Sequence, residues 1–271
     1  MIHISCCRKY NDLFMSCTNV AMQKVRILNI DVLNITRQEL LDNLYAGVLV
    51  TPNLDHLIKL QTDKEFYDCY KRAEWVVCDS NILRLFSKML KTPFVEAIPG
   101  SSFFSSYYMY HKDDADCKIF LLGAKEGVAD KAMERINSRV GRQIVVGAHS
   151  PSYGFEKNEK EGAEIVDIIN GSGANVVLVG VGAPKQEKWI MKYKDRMPGV
   201  NLWMALGATI DFEAGNVKRA PKIFQKLAME WLYRFCMEPM RLFHRYFVDD
   251  IRFFWYFGKQ LLGVYKDPFA K

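Results

Sequence analysis

The chain has 271 residues, of which 49% are apolar and 25% are charged. This composition is that of an ordinary folded globular protein, and it excludes disordered, collagen-like and coiled-coil chains. No stretch reaches the roughly 18 uncharged apolar residues that a spanning helix needs, so a multi-span membrane protein is excluded as well. The length suits one large α/β domain, alone or with an appendage.

The seven cysteines argue against a cysteine-based framework. Their number is odd and no pair has the C-x-x-C spacing. A disulfide network or a zinc site is therefore disfavoured, and a reducing compartment fits better. Cys6, Cys7 and Cys17 lie in a segment without the apolar core of a secretory signal, where metal binding or lipidation are the alternatives to a poorly ordered leader. We expect residues 1–24 to be such a leader.

The net charge of +6 is unevenly distributed. Residues 1–214 contain 26 basic and 26 acidic side chains, whereas residues 215–271 contain 11 basic and 5 acidic side chains. The last 57 residues also carry 14 of the 35 aromatic residues. A neutral body with a basic, aromatic tail predicts an anionic partner, either a membrane surface or a nucleic acid.

From Val25 onward, short β-forming runs alternate with amphipathic helical patterns. Several runs are nearly continuous Val, Leu and Ile, as expected for strands that are buried on both faces. The predicted strands lie within 25–30, 47–53, 75–80, 118–124, 143–150, 175–183 and 200–208. Their alternation with helical stretches predicts an α/β fold with a doubly wound, Rossmann-like, mostly parallel sheet.

The pattern changes near residue 215. Residues 221–235 predict an amphipathic helix, and residues 240–257 predict a second helix with one strongly aromatic side. Pro239 separates the two helices. The predicted organisation is a leader (1–24), a catalytic α/β domain (25–214) and a basic, aromatic, membrane-contacting helical appendage (215–271).

Glycines and small polar residues follow the predicted strands. Doubly wound sheets bind ligands beyond the carboxyl ends of their strands, so we expect these residues to line the functional site. Backbone N–H groups and small polar side chains suit a phosphorylated ligand such as a nucleotide sugar. The candidate substrate-binding residues on this rim are Thr51, Asn53, Gly123, Gly182, Gln186 and Asp211.

Asp79 is the candidate catalytic residue. It ends an apolar run and precedes a helical pattern. A carboxylate in that place can cap the helix N-terminus. A carboxylate that faces a ligand crevice can instead take a proton from an attacking hydroxyl. The sequence leaves both roles open.

Motifs of other enzyme classes are incomplete or absent in the sequence. The G-V-G at 180–182 lacks the third glycine of a dinucleotide fingerprint, because Lys185 stands there. The D-A-D at 114–116 has the spacing of metal-dependent sugar transferases, but it precedes a strand, so we expect a solvated turn away from the site. The sequence has no i, i+4 histidine pair, no G-x-S-x-G and no P-loop pattern. A helical zinc site, a hydrolase and an ATPase are therefore disfavoured.

Two stretches resemble the WecG/TagA/CpsF family of bacterial glycosyltransferases. VLVGVGAPKQEKWI (177–190) is similar to the family's G-x-G-x-P-x-Q-E-x-W signature. Residues 205–246 are similar to its glycine turn and its D-F-x-x-G, R-A-P, E-W-x-x-R and E-P-x-R motifs. Weaker similarities, such as IPGSSFF (98–104), extend the resemblance over about residues 25–247.

The resemblance implies an inverting hexosyltransferase that needs neither metal nor cofactor. The donor would be a UDP-sugar carrying N-acetylmannosamine or a related hexose or uronate, and the acceptor a polyprenyl-diphosphate-linked sugar. The implied role is cell-surface polysaccharide synthesis, of teichoic acid or exopolysaccharide, by a cytoplasmic protein that is peripheral on the inner face of the cell membrane.

The resemblance also assigns residues. The family's proposed base corresponds to Asp79, its T-x-N motif to Thr51 and Asn53, and the glutamine of its P-x-Q-E to Gln186. Arginines of its appendage are thought to lie over the donor diphosphate and near the membrane. The candidates are Arg219 and Arg234 for substrate, and Arg241, Arg245 and Arg252 for the membrane, with Arg241 and Arg245 also candidates for the diphosphate.

The chain departs from the family pattern at three places. Asp79 is followed by Ser80 where the family has glycine, Ala97 replaces a common arginine, and the family's G-Y-F reads Y-G-F at 153–155. These changes affect the identity of the sugar more than the reaction class.

Two alternatives concern the tail. It could serve a nucleotide- or nucleic-acid-binding module, with arginines on phosphates and aromatics on bases. The helical spacing of its aromatics among Leu and Met favours burial against lipid or core instead, so we expect no nucleic-acid partner. A homo-oligomer interface is the second alternative, and it is compatible with the transferase.

Overall fold

The computed structural model describes residues 23–217 and 250–270. Its strands are β1 (Lys24–Ile27), β2 (Ile30–Leu33), β3 (Gly47–Val50), β4 (Trp75–Val76), β5 (Ile119–Gly123), β6 (Val145–His149), β7 (Val176–Gly180) and β8 (Leu202–Ala205). Six of them form one sheet in the order β4-β3-β8-β7-β5-β6, and every pairing in it is parallel. The other two, β1 and β2, form an antiparallel pair.

Helices cover both faces of the parallel sheet. They are α1 (Arg37–Asn43), α2 (Leu54–Lys59), α3 (Lys64–Arg72), α4 (Asn81–Ser87), α5 (Gly100–Tyr110), α6 (Val128–Val140), α7 (Glu159–Ser172), α8 (Lys185–Tyr193), α9 (Thr209–Ala214) and α10 (Asp250–Leu261). The buried side chains of α2, α3, α7, α8 and α10 join one core, and those of α1, α5, α6 and α9 join the other. The predicted α/β fold with a doubly wound parallel sheet is confirmed.

The continuous apolar runs follow from this three-layer arrangement. In β7, Val177 and Val179 pack into one core, while Val176 and Leu178 pack into the core on the opposite face. Neither face of the strand meets water, so no position favours a polar side chain. Burying each such side chain contributes roughly 1.5–3 kcal/mol relative to leaving it exposed.

The first predicted strand differs from the structure. The run 25–30 turns at Leu28 and Asn29 and forms a hairpin instead of a strand of the parallel sheet. Leu28 has φ +51°, and the buried Asn29 donates to the Leu60 carbonyl oxygen at 2.6 Å and accepts from the Gln61 side chain at 2.9 Å. A run of β-forming residues does not reveal such a turn, because tertiary hydrogen bonds stabilise it.

The carboxyl ends of the three central strands approach one another without side chains between them. A Cβ on Gly123, at the end of β5, would lie 2.5 Å from the Gly180 carbonyl oxygen. A Cβ on Gly180, at the end of β7, would lie 2.6 Å from the Gly207 carbonyl oxygen. Gly123 also has φ +138°, a conformation that side chains disfavour. Glycine is therefore required here on steric grounds.

The appendage is described only in part. Residues 250–257 of the second predicted tail helix lie in α10, which packs Phe253 and Phe257 into the core. The first predicted tail helix and residues 1–22 lie outside the described residues, and the domain boundaries at 24 and 214 stay predictions. Among the helices that the structure describes, none is long and apolar enough to span a membrane.

We predict that Gly123→Ala lowers the free energy of unfolding by about 2–4 kcal/mol, because the new methyl group clashes with the neighbouring strand and strains the backbone. Urea unfolding measures this change. The matched control is Gly171→Ala in α7, where a Cβ meets no atom within 4 Å. Equal stability of the two variants would contradict the steric account.

Candidate functional site

The predicted catalytic and substrate-binding residues within the described part of the chain lie at one edge of the sheet. Thr51 and Asn53 follow β3, and Asp79 follows β4. Gly123 ends β5, and the other candidates follow β7 and β8. Four strand spacings, roughly 19 Å, separate β4 from β5. We call the ends of β3 and β4 the aspartate half of the site, and the ends of β5, β7 and β8 the glycine half.

In the aspartate half, Asp79 does not cap α4, the helix that follows it in the sequence. Ser80 is the N-cap of α4, and its hydroxyl accepts from the N–H of Leu83 at 3.1 Å. Asp79 Oδ1 instead accepts from the backbone N–H of Gly100, the first residue of α5, at 3.0 Å. The alternative that Asp79 caps α4 is therefore wrong, and its half-buried carboxylate binds the first N–H of α5 instead.

Thr51 and Asn53 have different surroundings. Thr51 is buried beside Gly100, and a Cβ on that glycine would lie 3.4 Å from Thr51 Oγ1. Thr51 and Asp79 therefore approach the same backbone. Asn53 is the N-cap of α2, and its side chain accepts from the N–H of His56 at 3.1 Å. That hydrogen bond gives Asn53 a structural role beside the predicted binding role.

In the glycine half, Gln186 joins two loops. Its side chain is 2% exposed, and its Oε1 accepts from the N–H of Gly182 and from the N–H of Gly207, each at 3.1 Å. The β7–α8 loop is thereby tied to the β8–α9 loop. Its Nε2 donates to Glu187 Oε1 at 2.9 Å, which fixes the orientation of the carboxamide.

These hydrogen bonds change what the glycines offer to a ligand. Backbone N–H groups around Gly123 and Gly182 stay candidates for a phosphorylated ligand, but the N–H of Gly182 itself donates to Gln186. Next to Gly123, the N–H of Ala124 points to the Gly180 carbonyl oxygen at 3.4 Å. Both glycines instead allow the loops to pass close together and place the helices that follow.

Helix N-termini supply positive potential to the glycine half. The helices α6, α8 and α9 follow β5, β7 and β8, and none of them has a side-chain cap within the described residues. By contrast, side chains cap α2, α4 and α7. Uncapped N-termini present N–H groups and the positive end of the helix dipole, an arrangement that favours phosphate groups.

Glu187 is a buried acid next to this cluster. Its side chain is fully buried, and its Oε2 has no hydrogen-bond partner among residues 23–217 and 250–270. Burial raises the pKa of Glu187 from its usual 4.5 to about 7. The hydrogen bond from Gln186 and the charge of Lys59 oppose this shift, while the charge of Asp55 adds to it. Glu187 therefore exchanges a proton near neutral pH while it holds Gln186.

The remaining predicted residues are placed as follows. Asp211 lies in the first turn of α9, half-buried at the glycine half. Arg252 is exposed on α10. Arg219, Arg234, Arg241 and Arg245 lie outside the described residues. The D-A-D at 114–116 lies before the amino end of β5, as predicted, where Asp114 bonds His111 and the N–H of Asp116.

Sequence reasoning did not predict the contacts of three residues at this edge. Gly100 lies in IPGSSFF, but no local pattern shows that its N–H meets Asp79. Gly207 lies at the end of the last predicted strand, but no local pattern shows its bond to Gln186, which spans 21 residues of sequence. Glu187 stands in the P-x-Q-E pattern, where adjacency to Gln186 was the available signal.

Comparison with known proteins decides the family. The sequence model of the family described as "Glycosyl transferase WecG/TagA/CpsF family" matches residues 25–267, most of the chain. This chain belongs to that family. It is thus a glycosyltransferase, and the predicted recognition and enzyme class, a hexosyltransferase, are confirmed.

A curated relative agrees with this membership. The chain is 29% identical over 232 residues to the N-acetylglucosaminyldiphosphoundecaprenol N-acetyl-beta-D-mannosaminyltransferase of Staphylococcus aureus. The match covers 81% of this chain and 87% of the relative. The relative is therefore similar over nearly its whole length.

We predict that Glu187 makes the stability of this glycosyltransferase depend on pH. In the unfolded chain the group loses its proton near pH 4.5, whereas the folded chain keeps it until about pH 7. The stabilisation is full below pH 4.5 and is lost as the pH rises through 7, a change on the order of 3 kcal/mol.

The measurement is urea unfolding of the wild type and Glu187→Gln between pH 5 and pH 8. The free energy of unfolding of Glu187→Gln should rise relative to that of the wild type as the pH rises. Glu164→Gln, which removes an exposed carboxylate from α7, is the control. A pH-independent difference for Glu187→Gln would contradict the raised pKa.

Proposed function

We propose that the chain is an inverting transferase that moves a sugar from a UDP-sugar to a polyprenyl-diphosphate-linked sugar. N-acetylmannosamine, or a related hexose or uronate, is the proposed sugar, and N-acetylglucosamine is the proposed acceptor sugar. Family membership and the name of the Staphylococcus aureus relative support these choices. The product would serve cell-surface polysaccharide synthesis, such as that of teichoic acid.

The observation that carries the mechanism is the placement of Asp79. Ser80 caps α4, so the neighbouring carboxylate is not needed for the helix. The N–H of Gly100 fixes one of its oxygens at 3.0 Å, at the strand edge where doubly wound folds bind ligands. A positioned carboxylate of this kind serves as a general base and contributes about 10²–10⁴-fold to the rate.

The proposed reaction is a single displacement. Asp79 takes the proton of the acceptor hydroxyl, whose oxygen forms a bond to the anomeric carbon from the face opposite the diphosphate. The bond from that carbon to the diphosphate oxygen breaks, and UDP leaves with the electron pair. Thr51 and Asp79 both approach Gly100, in the half where the sugar would react.

In the proposed complex, different parts of the donor bind in the two halves of the site. The proposed diphosphate and nucleoside lie toward the uncapped N-termini of α6 and α8, where developing negative charge meets fixed dipoles. An extended nucleotide sugar reaches from there toward Asp79. Asp211 and arginines of the tail, among them Arg219 and Arg234, are proposed as further contacts of the donor.

The acceptor determines the proposed location. A polyprenyl chain is held in a bilayer, so the enzyme is proposed to be peripheral on the inner face of the cell membrane. The basic, aromatic composition of residues 215–271 supports contact with anionic lipid. No finding favours the nucleic-acid-binding alternative, and a homo-oligomer stays compatible with this function.

A donor panel tests the function. Purified protein is incubated with UDP-N-acetylmannosamine, its uronate, UDP-N-acetylglucosamine or UDP-glucose, together with a short-chain polyprenyl-diphosphate-linked N-acetylglucosamine. Mass spectrometry should detect addition of one sugar with the mannosamine donors, and EDTA should not prevent it, because helix N-termini stabilise the diphosphate and the D-x-D lies at the opposite edge. Absence of product with every donor, or a requirement for added Mg²⁺ or Mn²⁺, would contradict the proposal.

We expect Asp79→Asn to lower kcat by about two orders of magnitude or more, with KM for the donor nearly unchanged, because it removes the base and keeps the shape. Ser80→Ala is the matched control: it removes the helix cap, which costs about 1 kcal/mol of stability, and leaves the base in place. Steady-state kinetics and thermal unfolding separate the two effects. A similar kcat for the wild type and Asp79→Asn would rule out Asp79 as the base.

A further inference from the structure

The β7–α8 loop, residues 181–184, is held by side chains from two directions. From α8, the Gln186 side chain accepts from the N–H of Gly182 at 3.1 Å. From α2, the ammonium group of Lys59 donates to the Ala183 carbonyl oxygen at 3.3 Å. The helix α2 follows β3 in the aspartate half, whereas α8 follows β7 in the glycine half. Groups from both halves of the site therefore meet at this loop.

The orientation of Gln186 depends on Glu187. A carboxamide has an acceptor oxygen and a donor nitrogen, so only its oxygen can face the N–H groups of Gly182 and Gly207. The nitrogen of Gln186 then needs an acceptor of its own, which Glu187 Oε1 supplies at 2.9 Å. Both side chains are buried, so bulk water does not replace this acceptor. Loss of the carboxylate would therefore weaken the hold of Gln186 on the loop.

The carboxylate of Glu187 is unfavourable for the stability of the fold. Its Oε2 has no hydrogen-bond partner within residues 23–217 and 250–270, and burying such a polar atom costs free energy. An apolar side chain of similar size would avoid this cost. Proteins break such packing rules mainly at functional sites. The buried acid therefore indicates a role in the site that packing alone does not explain.

The contacts of Lys59 also go beyond an ordinary surface pair. Lys59 donates to Asp55 at 2.8 Å, four residues earlier in α2, and such i, i+4 pairs are common on helices. Its bond to Ala183 spans 124 residues, so helix pairing does not explain it. Burial raises the pKa of Glu187 and the charge of Lys59 lowers it, which places the ammonium group within electrostatic reach of the buried carboxyl. Lys59 and Glu187 therefore act on the same loop.

The loop leads directly into α8, which begins at Lys185. The N-terminus of α8 has no side-chain cap within the described residues, and its N–H groups are proposed to face the donor diphosphate. A shift of the loop would move these N–H groups. The position of the loop should therefore determine how well the donor binds.

We propose that Glu187 and Lys59 are positioning residues of the transferase, which fix the β7–α8 loop and with it the N-terminus of α8 that receives the donor diphosphate. Glu187 acts through Gln186, and Lys59 acts directly on the Ala183 carbonyl oxygen. The inference rests on the proposed function, and it assigns part of the donor affinity to two side chains that are not proposed to contact the donor.

Amide hydrogen exchange tests the positioning in the absence of substrates. NMR of ¹⁵N-labelled full-length protein follows the N–H of Gly182, which exchanges when its bond to Gln186 opens. Glu187→Met removes the acceptor of Gln186 and keeps the length of the side chain, whereas Glu187→Gln keeps an acceptor oxygen. We expect exchange at Gly182 to accelerate about tenfold or more in Glu187→Met and to stay within about threefold of the wild type in Glu187→Gln.

Donor affinity is the second measurement. Calorimetry with UDP and steady-state kinetics with the UDP-sugar should show that Glu187→Met raises the Kd for UDP and the KM for the donor about tenfold, and Lys59→Met about threefold. The value of kcat should fall by a smaller factor than KM rises. Glu187→Gln should keep both constants near those of the wild type, since its oxygen still accepts from Gln186.

Two variants control for a general loss of stability. Gln61→Met removes a buried carboxamide whose hydrogen bonds join the hairpin, α2 and Tyr265. Lys64→Met removes the lysine of another i, i+4 pair, on α3. Both controls should bind UDP as the wild type does, even where thermal unfolding shows a lower stability.

A double-mutant cycle tests whether Glu187 acts through Gln186. In a Gln186→Ala background, Glu187→Met should have no further effect on the Kd for UDP, because the side chain that it orients is gone. Additive effects of the two substitutions would contradict this route and give Glu187 a separate role.

Unchanged UDP binding in Glu187→Met would overturn the inference, even if Gly182 exchanged faster, and so would an equal loss of binding in Gln61→Met. A normal Kd in Lys59→Met would remove Lys59 from the assignment. Faster exchange and weaker UDP binding in Glu187→Met, in a chain that transfers no sugar to any acceptor, would support the positioning role and reject the proposed transfer reaction. The two claims can therefore fail independently.

Discussion

The close backbone approach of Gly123, Gly180 and Gly207 is the constraint on which the site depends. Carbonyl oxygens occupy the space where a Cβ would lie, so three strands end side by side with no side chain between them. The loops that leave β7 and β8 are then near enough for one carboxamide, that of Gln186, to accept from both. The starts of α6, α8 and α9 are placed by the same contacts.

The two halves of the site offer different chemical groups to a ligand. The glycine half offers backbone dipoles and a buried acid, Glu187, but few side chains that could react. The aspartate half offers a carboxylate and a hydroxyl, those of Asp79 and Thr51, which both approach Gly100. A nucleotide sugar, the proposed donor, has a charged diphosphate part and a reacting sugar. Its diphosphate would lie in the glycine half and its sugar in the aspartate half.

The sequence was sufficient to predict the six strands of the parallel sheet and to place the candidate site residues at one of its edges. Runs such as 175–183 are apolar throughout because both faces of the strand are buried, and the residues after each run therefore identified the edge. Local pattern could not predict the hairpin at Asn29, since its turn depends on hydrogen bonds to residues more than 30 positions away. For the same reason it could not show that Ser80 caps α4 while Asp79 meets Gly100.

The role of Gln186 shows the limit of motif transfer. The resemblance marks this glutamine as a binding residue, whereas in the folded chain its oxygen accepts from two loops and its nitrogen donates to Glu187. Chemical type and position were predictable, but the partner Gly207 was not, because it lies 21 residues away in the loop after another strand. A contribution to binding through the loops that it holds is compatible with both observations.

The anomeric configuration of the product tests the central claim most directly. In a single displacement with Asp79 as base, the acceptor oxygen attacks opposite the departing UDP, so an α-linked donor sugar gives a β-linked product. The one-bond carbon–hydrogen coupling at the anomeric centre, measured by NMR on product made with a ¹³C-labelled donor, distinguishes the two configurations. The account predicts the β linkage, and an α-linked product would contradict it.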